Sequence, residues 1–486
     1  MSIFQKLFKQ TFIYGLATVL PRVLGIILVP LYVDVLETND YGVYASLMAL
    51  LITGNILFSY GMETAFFRFI NKEGSDKKEV QSTVLTTLTI STLFFFGLGV
   101  VCREHLAVFL EFDVQYITYG LGILSLDALV VLPFAWFRVN ERPIRYAILK
   151  ILNVSINFGL NIFFFLILPV LANHTNSFWD AIYFKEDLVS YVFIANLVAS
   201  LLTFFMVLSL YFKIGFGWNK AIWTSMITYA FPVLIAGVAF SINEAFDKLL
   251  LKYILPADIA ASEVGIYAAC YKLGVFMTLF STAFRLGIEP FFFNHAKAKN
   301  AKETYAKITL YFSVLGSLIL LGVVVFSDVL KKLLIPDSSY WEAMVIVPII
   351  LLANLCLGLY HNLSVWYKIT DNTKFGAYIS IVGASITLVL NFLLIPQYSY
   401  VGSAIATLAA YGIMMFLSWY FGRKYYPIPY NLKKIGVYLI TSIVFSILSF
   451  YVFQSNYMIS IPLLLLFLVI LYALERKEFK QILKRY

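Results

Sequence analysis

The chain has 486 residues, of which 61% are apolar, 17% aromatic and only 13% charged, and its formal net charge is +9. A soluble globular protein is typically about 45–50% apolar and about 25% charged. The composition therefore excludes an ordinary soluble enzyme of two or three domains, and it excludes an intrinsically disordered chain. Because one membrane-spanning helix takes about 20 apolar residues, nearly the whole chain has the composition of a membrane protein.

Apolar runs of helical length recur from one end of the chain to the other, without the alternating pattern of a membrane β-barrel. The first run is too long for the core of a signal peptide and lacks a small-residue cleavage site, so we expect an uncleaved helix. The predicted fold class is all-α, a polytopic membrane protein of 14 transmembrane helices. The predicted spans are residues 11–33, 41–60, 83–101, 116–137, 146–171, 188–212, 222–246, 264–284, 306–327, 342–361, 375–395, 401–421, 435–453 and 457–474.

The basic residues sort the loops between these spans into two classes. If the N-terminus is cytoplasmic, 28 of the 36 lysines and arginines fall in cytoplasmic segments. Cytoplasmic loops carry such an excess in membrane proteins, so both termini are predicted to be cytoplasmic. The net charge of +9 is then explained by the excess of basic residues in cytoplasmic loops, where they lie next to anionic lipid headgroups. No nucleic-acid-binding motif accompanies it, so a nucleic-acid partner is not expected.

Three cysteines and four histidines are scattered along the chain. They form neither a CxxC motif nor a His/Cys cluster, so the sequence predicts no disulfide framework, metal site or bound cofactor. The loops are also too short for a catalytic domain outside the membrane. The chain is therefore not expected to be an enzyme.

Two segments in the first half of the chain return in the second half. Tyr41–Tyr44 (YGVY) corresponds to Val264–Tyr267 (VGIY), and Asn161–Pro169 corresponds to Asn391–Pro396, at offsets of 223 and 230 residues. The offset spans an even number of helices, so the repeats are parallel, and transporters built in this way place the substrate path between the halves. The predicted domains are a six-helix bundle at 1–215, a second six-helix bundle at 216–425, and two extra helices with a basic cytoplasmic tail at 426–486.

Four features of the sequence are Gly42, the pair Asp247-Lys248, Gly265 and the segment 391–407 (NFLLIPQYSYVGSAIAT). In their joint order they resemble the Wzx-type polysaccharide flippases of the multidrug/oligosaccharidyl-lipid/polysaccharide exporter superfamily. The resemblance implies a flippase that moves undecaprenyl-diphosphate-linked oligosaccharide from the cytoplasmic to the periplasmic leaflet of a bacterial inner membrane. It also implies two pseudo-symmetric bundles around a cavity, alternating access, and contact with other polysaccharide-assembly membrane proteins.

Charged groups at membrane depth are costly unless they are paired or face water, so each one is a candidate functional residue. A guanidinium suits the paired oxygens of a diphosphate, and aromatic rings and hydroxyls suit sugars. Arg22 could instead form a structural pair with Asp127, and the polar stripe of the eighth span could instead be a helix–helix seam. The candidate substrate-binding residues are Arg22, Lys272, Arg68, Tyr267, Tyr271, Thr278 and Ser281.

A second group of charged residues is a candidate for coupling to H⁺ or Na⁺, or for a gate. Asp127 is an isolated acid near the middle of the fourth span, and Glu63 is a candidate for the same role. At the end of the seventh span, Glu244 and Lys248 are spaced as an i,i+4 ion pair beside Asp247, which indicates either a gate or an ordinary interfacial helix end.

Three other functions compete with the flippase hypothesis. A drug or cation antiporter of the same fold would need an acidic cavity, whereas Arg22 and Lys272 make the core positive. A lipid II flippase would need more basic residues in its cavity. A membrane glycosyltransferase or polymerase would need a large external loop or paired acids, for which Glu244 and Asp247 are the candidates.

Overall fold

The computed structural model describes residues 3–172, 178–295, 298–370 and 372–483, and every regular element in these ranges is helical, which confirms the all-α prediction. The helices of the first part are α1 (Ile3–Val35), α2 (Thr38–Ser59), α3 (Met62–Ile70), α4 (Lys77–Val101), α5 (Arg103–Leu110), α6 (Val114–Val139), α7 (Pro143–Ile162), α8 (Leu168–Ala172), α9 (Phe178–Ala181), α10 (Leu188–Ile214), α11 (Lys220–Ile254) and α12 (Ala257–Tyr271). Those of the second part are α13 (Val275–His295), α14 (Ala301–Val325), α15 (Ser327–Leu334), α16 (Val347–Leu363), α17 (Val365–Ile369), α18 (Lys374–Tyr425), α19 (Leu432–Ile447) and α20 (Tyr457–Leu483).

Short polar side chains in the loops define where several helices begin. Asp76 accepts hydrogen bonds from the backbone N–H groups of Lys78 and Glu79 at the start of α4. Asn219 accepts two such bonds at the start of α11. The first N–H groups of a helix have no partner within it, so a side-chain acceptor stabilises a helix start at that point.

Thirteen helical segments in the described part of the chain are long and apolar enough to cross a membrane. One of them, α18, has 52 residues and would measure about 78 Å if straight, more than twice the apolar thickness of about 30 Å. Its backbone turns at Ser399, with φ 45° and ψ −131°. Ser403 then donates a hydrogen bond of 2.8 Å to Asn391, although about 18 Å would separate the two on a straight helix. Because α18 folds back, it supplies two crossings, and the prediction of fourteen is confirmed.

Met1–Gly265 forms one compact unit. One apolar core of this unit lies where α3, α4, α6, α10 and α11 meet, and it contains Phe66 and Trp136, both buried. The loop before α11 is held on α4, because the Thr86 hydroxyl donates a hydrogen bond of 2.9 Å to the carbonyl of Gly217. The core therefore lies at the end of the unit that the charge pattern predicts to be cytoplasmic.

Ile266–Tyr486 forms the second compact unit. Within it, α16 packs against α13, α14 and α18. Trp366 of α17 is buried and donates its indole N–H to the carbonyl of Ser418 at 3.0 Å. The final helix is attached to α19 by a buried carboxylate, since Glu475 accepts hydrogen bonds of 2.9 Å from Lys434. The unit thus combines an apolar interior with a few polar cross-links between helices.

The two compact units divide the chain at a different place from the repeat. The repeat assigns α11 to the second half, whereas α11 packs on α2 and α3 within the first compact unit. The predicted domains 1–215, 216–425 and 426–486 therefore stay a prediction. Residues 173–177 and the last residues of the basic tail, 484–486, lie outside the described residues.

Candidate transport site

Asp127 lies where four helices of the first unit meet. The hydroxyl of Ser200 on α10 donates a hydrogen bond of 2.9 Å to its Oδ1 atom, and the side chain of Asn55 on α2 also hydrogen-bonds it. Lys150 on α7 interacts with the same carboxylate electrostatically. Asp127 thus has two hydrogen-bond donors and a cation around it.

Lys150 connects this carboxylate to a second acid. It interacts electrostatically with both Asp127 and Glu63, and its ammonium lies 4.4 Å above the ring of Phe134. An aromatic ring beneath an ammonium stabilises the cation. Spacing along one helix could not identify this contact, because Lys150, Asp127 and Glu63 lie on three different helices.

Two more charged groups lie at the same end of the first unit. Glu63 on α3 accepts a hydrogen bond of 2.9 Å from Arg138 on α6, and their side chains are 44% and 46% exposed. Arg68 is exposed, with its guanidinium 4.3 Å above the ring of Tyr229 on α11. These groups are open enough to meet a polar ligand, and Arg68 keeps an orientation fixed by the ring.

Arg22 follows Pro21 within α1, and its side chain is exposed. A guanidinium at membrane depth is stable only if it faces water, a polar ligand or a partner. The exposure is compatible with a position on a water-filled path. Its role in binding a diphosphate stays a prediction.

The polar end of α11 contains an ion pair between two adjacent residues. Lys248 forms its ion pair with the adjacent residue Asp247, with its Nζ atom 3.0 Å and 3.1 Å from the two carboxylate oxygens. Asp247 is only 4% exposed, whereas Glu244 is exposed. The buried carboxylate is the one that most needs a countercharge, which explains the choice of partner.

The predicted aromatic stripe does not follow one continuous α-helix. A 3₁₀ turn, Lys272–Gly274, separates α12 from α13, and three residues per turn instead of 3.6 rotate the following side chains by about 60°. Tyr267 is fully buried, with its ring 5.6 Å from that of Tyr271, so it packs within the protein. Tyr271 and Lys272 are half-buried. Thr278 donates its hydroxyl to the carbonyl one turn earlier in α13, at 2.9 Å.

Ser281 lies in a small pocket of the second unit, with a volume of about 20 Å³, enough for about one water molecule. Arg285 and Glu289 follow it at four-residue intervals on α13, while His361 and Lys368 line the pocket from α16 and α17. Lys368 donates a hydrogen bond of 2.5 Å to Glu289. The buried hydroxyl of Ser281 has no hydrogen-bond partner among the described residues. Of the predicted substrate residues, only Ser281 belongs to this pocket.

Several charged residues of these clusters were missed at the sequence level, although the repeat contains a signal for them. Trp136-Phe137-Arg138 and Trp366-Tyr367-Lys368 are related by 230 residues, and Met62-Glu63 and Ile288-Glu289 by 226. Both offsets agree with those of the repeat. In the described ranges, no three His, Cys, Asp or Glu side chains come together as a group that could hold a metal ion.

The comparisons with known proteins agree with a membrane transporter fold. The structure of the lipid II flippase MurJ in an inward closed conformation superimposes with a TM-score of 0.70 at 16% identity, covering 96% of this chain and 100% of that chain. An inward-facing multidrug resistance transporter of the MATE family has a TM-score of 0.61 at 13% identity, covering 87% and 96%. A transporter of the MOP superfamily from Pyrococcus furiosus has a TM-score of 0.55 at 12% identity, covering 86% and 95%. At these identities the likeness shows the fold alone.

No curated protein matches the sequence. The sequence pattern of a family described as polysaccharide biosynthesis protein matches residues 7–284, more than half of the chain. The match covers the first unit from residue 7 onward and includes Arg22, Asp127 and Lys272. This multi-pass membrane chain therefore belongs to the polysaccharide biosynthesis protein family and has the fold of MurJ and MATE transporters.

Proposed function

We propose that the protein flips undecaprenyl-diphosphate-linked oligosaccharide from the cytoplasmic to the periplasmic leaflet of a bacterial inner membrane, with both termini in the cytoplasm. The observation that carries the proposal is the combination of a polysaccharide biosynthesis family with a fold that covers the full length of a lipid II flippase. The lipid-linked oligosaccharide is the substrate, and other polysaccharide-assembly membrane proteins are its partners in the membrane.

The charges of the headgroup fit the cationic residues of the site. A diphosphate presents paired oxygens, which guanidinium groups bind in a bidentate manner. Arg22 and Arg68 are both exposed, and Lys272 adds a third cation at the 3₁₀ turn between α12 and α13. The prenyl chain stays in the lipid, because no binding energy is gained by removing it from hydrocarbon.

A seam within the first unit supports alternating access. A Cβ atom on Gly42 would lie 1.7 Å from the carbonyl oxygen of Ala261, and one on Gly265 would lie 1.9 Å from that of Thr38. The hydroxyl groups of Thr38 and Ser262 share a hydrogen bond of 2.8 Å. Gly42 and Gly265 are equivalent in the repeat, so two repeat-related helices, α2 and α12, meet backbone to backbone at these glycines. On the proposed topology this seam closes the periplasmic side and must part when the headgroup leaves.

The cluster around Asp127 supports coupling to an ion, H⁺ or Na⁺. A proton on Asp127 would remove the charge that attracts Lys150, and the link between α6 and α7 would weaken. A sodium ion would compete with Lys150 for the same oxygens. Either event changes how the helices of the first half are held together, which is what an ion-coupled rearrangement requires.

Deletion of the gene tests the proposal. We expect the surface glycan to disappear while its lipid-linked unit accumulates in the cell, and we expect the wild-type gene to restore display. Arg22→Ala should restore it at least about tenfold less well, because a bidentate charge-assisted contact is lost. Arg145→Ala, which changes another exposed arginine near a helix start, is the matched control and should restore it fully.

Two outcomes would contradict different parts of this proposal. Continued glycan display in a deletion strain without a second flippase would refute the function. Full restoration by Arg22→Ala would leave the function standing and remove Arg22 from the substrate site.

A further inference from the structure

Two ion pairs of the described structure occupy equivalent places in the repeat. Glu63 and Arg138 are separated by 2.9 Å, and Glu289 and Lys368 by 2.5 Å. The two acids are 226 residues apart in the sequence, and the two cations 230. The first pair joins α3 to α6, and the second joins α13 to α17. The same acid–base contact has thus been built once in each half of the chain.

The buried aromatic residues near these charged residues are repeated as well. Each cation follows two residues after a buried tryptophan, Trp136 at 5% and Trp366 at 1% exposure. Each acid precedes by three residues a buried phenylalanine, Phe66 at 0% and Phe292 at 6% exposure. Large buried rings fix the backbone next to them. The rings therefore place both partners of each pair before the charges attract each other.

Stability alone does not account for this duplication. The four side chains are between 30% and 46% exposed, and ion pairs that are so accessible to water add little to folding free energy. Both pairs lie at the ends of the units that the charge pattern predicts to be cytoplasmic.

We propose that the two pairs are positioning residues for transport. Each one ties the helix that follows a seam helix, α3 after α2 and α13 after α12, to a neighbouring helix of its own half. Each half then moves as one body when the cavity changes its access. This inference rests on the proposed transport function and adds the contacts that keep the cytoplasmic end of each half together.

A second cation lies beside each acid. Lys150 interacts with Glu63, and Arg285 shares the pocket with Glu289 and Lys368. Removing an acid therefore leaves two positive charges facing each other, whereas removing a cation leaves the acid with one partner. The proposal predicts that neutralising an acid is more harmful than neutralising its cation.

A double-mutant cycle in the glycan-display assay tests the first pair. Glu63→Gln should slow transport by about tenfold and Arg138→Gln by about threefold. The double variant should be no slower than Glu63→Gln alone, because the effects of substituting two residues in contact are not additive. Arg138→Lys, which keeps the charge, should stay within about twofold of wild type. The matched control is Asp328→Asn, which breaks the 2.6 Å Asp328–Lys331 pair within α15 and should change transport by less than about twofold.

Additive losses for Glu63→Gln and Arg138→Gln would overturn the proposal. A second outcome would also overturn it. If the effect of Glu63→Gln depended on Lys368→Gln but not on Arg138→Gln, the charges would act between the halves and not within one half.

A readout that needs no transport separates this inference from the proposed function. Thr64 is exposed and adjoins Glu63 in α3, so a Thr64→Cys chain reports the position of α3 through its labelling by a membrane-impermeant maleimide. We expect Glu63→Gln to raise the labelling rate by at least about threefold over the parent chain, and Arg138→Lys to leave it unchanged. Equal labelling in all variants would refute the positioning role, whereas failure of the wild-type gene to restore glycan display would refute only the transport function.

Discussion

The first unit contains two regions that hold helices together by opposite means. At the seam between α2 and α12, contact depends on the missing side chains of Gly42 and Gly265. In the cluster of Asp127, Lys150 and Ser200, contact depends on side chains that carry charge or donate hydrogen bonds. Both regions join helices that lie far apart in the sequence.

The difference separates two tasks. A backbone seam responds to volume and not to pH or ions, so it suits a contact that opens and closes without changing its own chemistry. A carboxylate between an ammonium and two neutral donors responds to protons and cations, because each of them alters the same attraction. On the proposed function the first region acts as a gate and the second as an ion sensor, and four variants test that distinction.

The largest effect is expected for Asp127→Asn. Lys150 would lose the carboxylate next to it and keep only its interaction with Glu63, and a partly buried charge that loses a partner costs up to about 3–5 kcal/mol. We expect transport to fall by more than about tenfold and the melting temperature to fall as well, measured by glycan display and by thermal unfolding of the purified chain.

The double variant Asp127→Asn/Lys150→Met distinguishes the two roles that the sequence left open for Asp127. Removing both charges should restore thermal stability, because no lone charge remains. Transport should stay low if Asp127 carries the coupling ion. Recovery of transport together with stability would show that Asp127 is only a structural partner.

A smaller effect is expected for Gly42→Ala. The new methyl group would lie 1.7 Å from the carbonyl oxygen of Ala261, so the two helices must separate by more than about an ångström. We expect a several-fold loss of transport with no change in its dependence on pH. Gly97→Ala in α4, where a Cβ atom meets nothing within 4 Å, is the matched control and should gain up to about 1 kcal/mol of helix propensity. Equal transport by the two variants would contradict the gate.

The smallest effect is expected for Thr38→Val. It removes the hydroxyl that bonds Ser262 at 2.8 Å and leaves the glycine contact in place. One such hydrogen bond contributes about 1 kcal/mol, so thermal stability should fall slightly and transport by less than about threefold. A loss as large as that of Gly42→Ala would mean that side chains and not the backbone hold the seam.

The sequence was most informative where a single helix explains the pattern. Apolar runs and loop charges predicted the crossings, including the two that α18 supplies on either side of Ser399. The predicted stripe of the eighth span assumed one regular helix from Tyr267 to Arg285. The 3₁₀ turn at Lys272–Gly274 breaks that helix, and a stripe drawn at α-helical spacing cannot include such a change of phase.

The spacing of residues along the sequence also could not predict which side chains on different helices contact each other. The i,i+4 rule drew attention to Glu244 for Lys248, and the structure adds an ion pair with Asp247. Spacing did not pair Lys150, Arg138 or Glu289 with a partner, although the repeated Trp-x-Arg/Lys segments, at Trp136 and Trp366, mark two of the paired cations.

By itself, the sequence determined the membrane class, the number of crossings and the internal repeat, because these depend on the cost of placing polar backbone and charge in hydrocarbon. Only the tertiary structure decided which acid meets which base, how Gly42 comes to touch the turn before Gly265, and that α11 packs with the first compact unit. The contacts between Glu63 and Arg138 and between Thr38 and Ser262 join residues more than seventy positions apart. Their energies depend on distances between helices, which no local pattern of residues specifies.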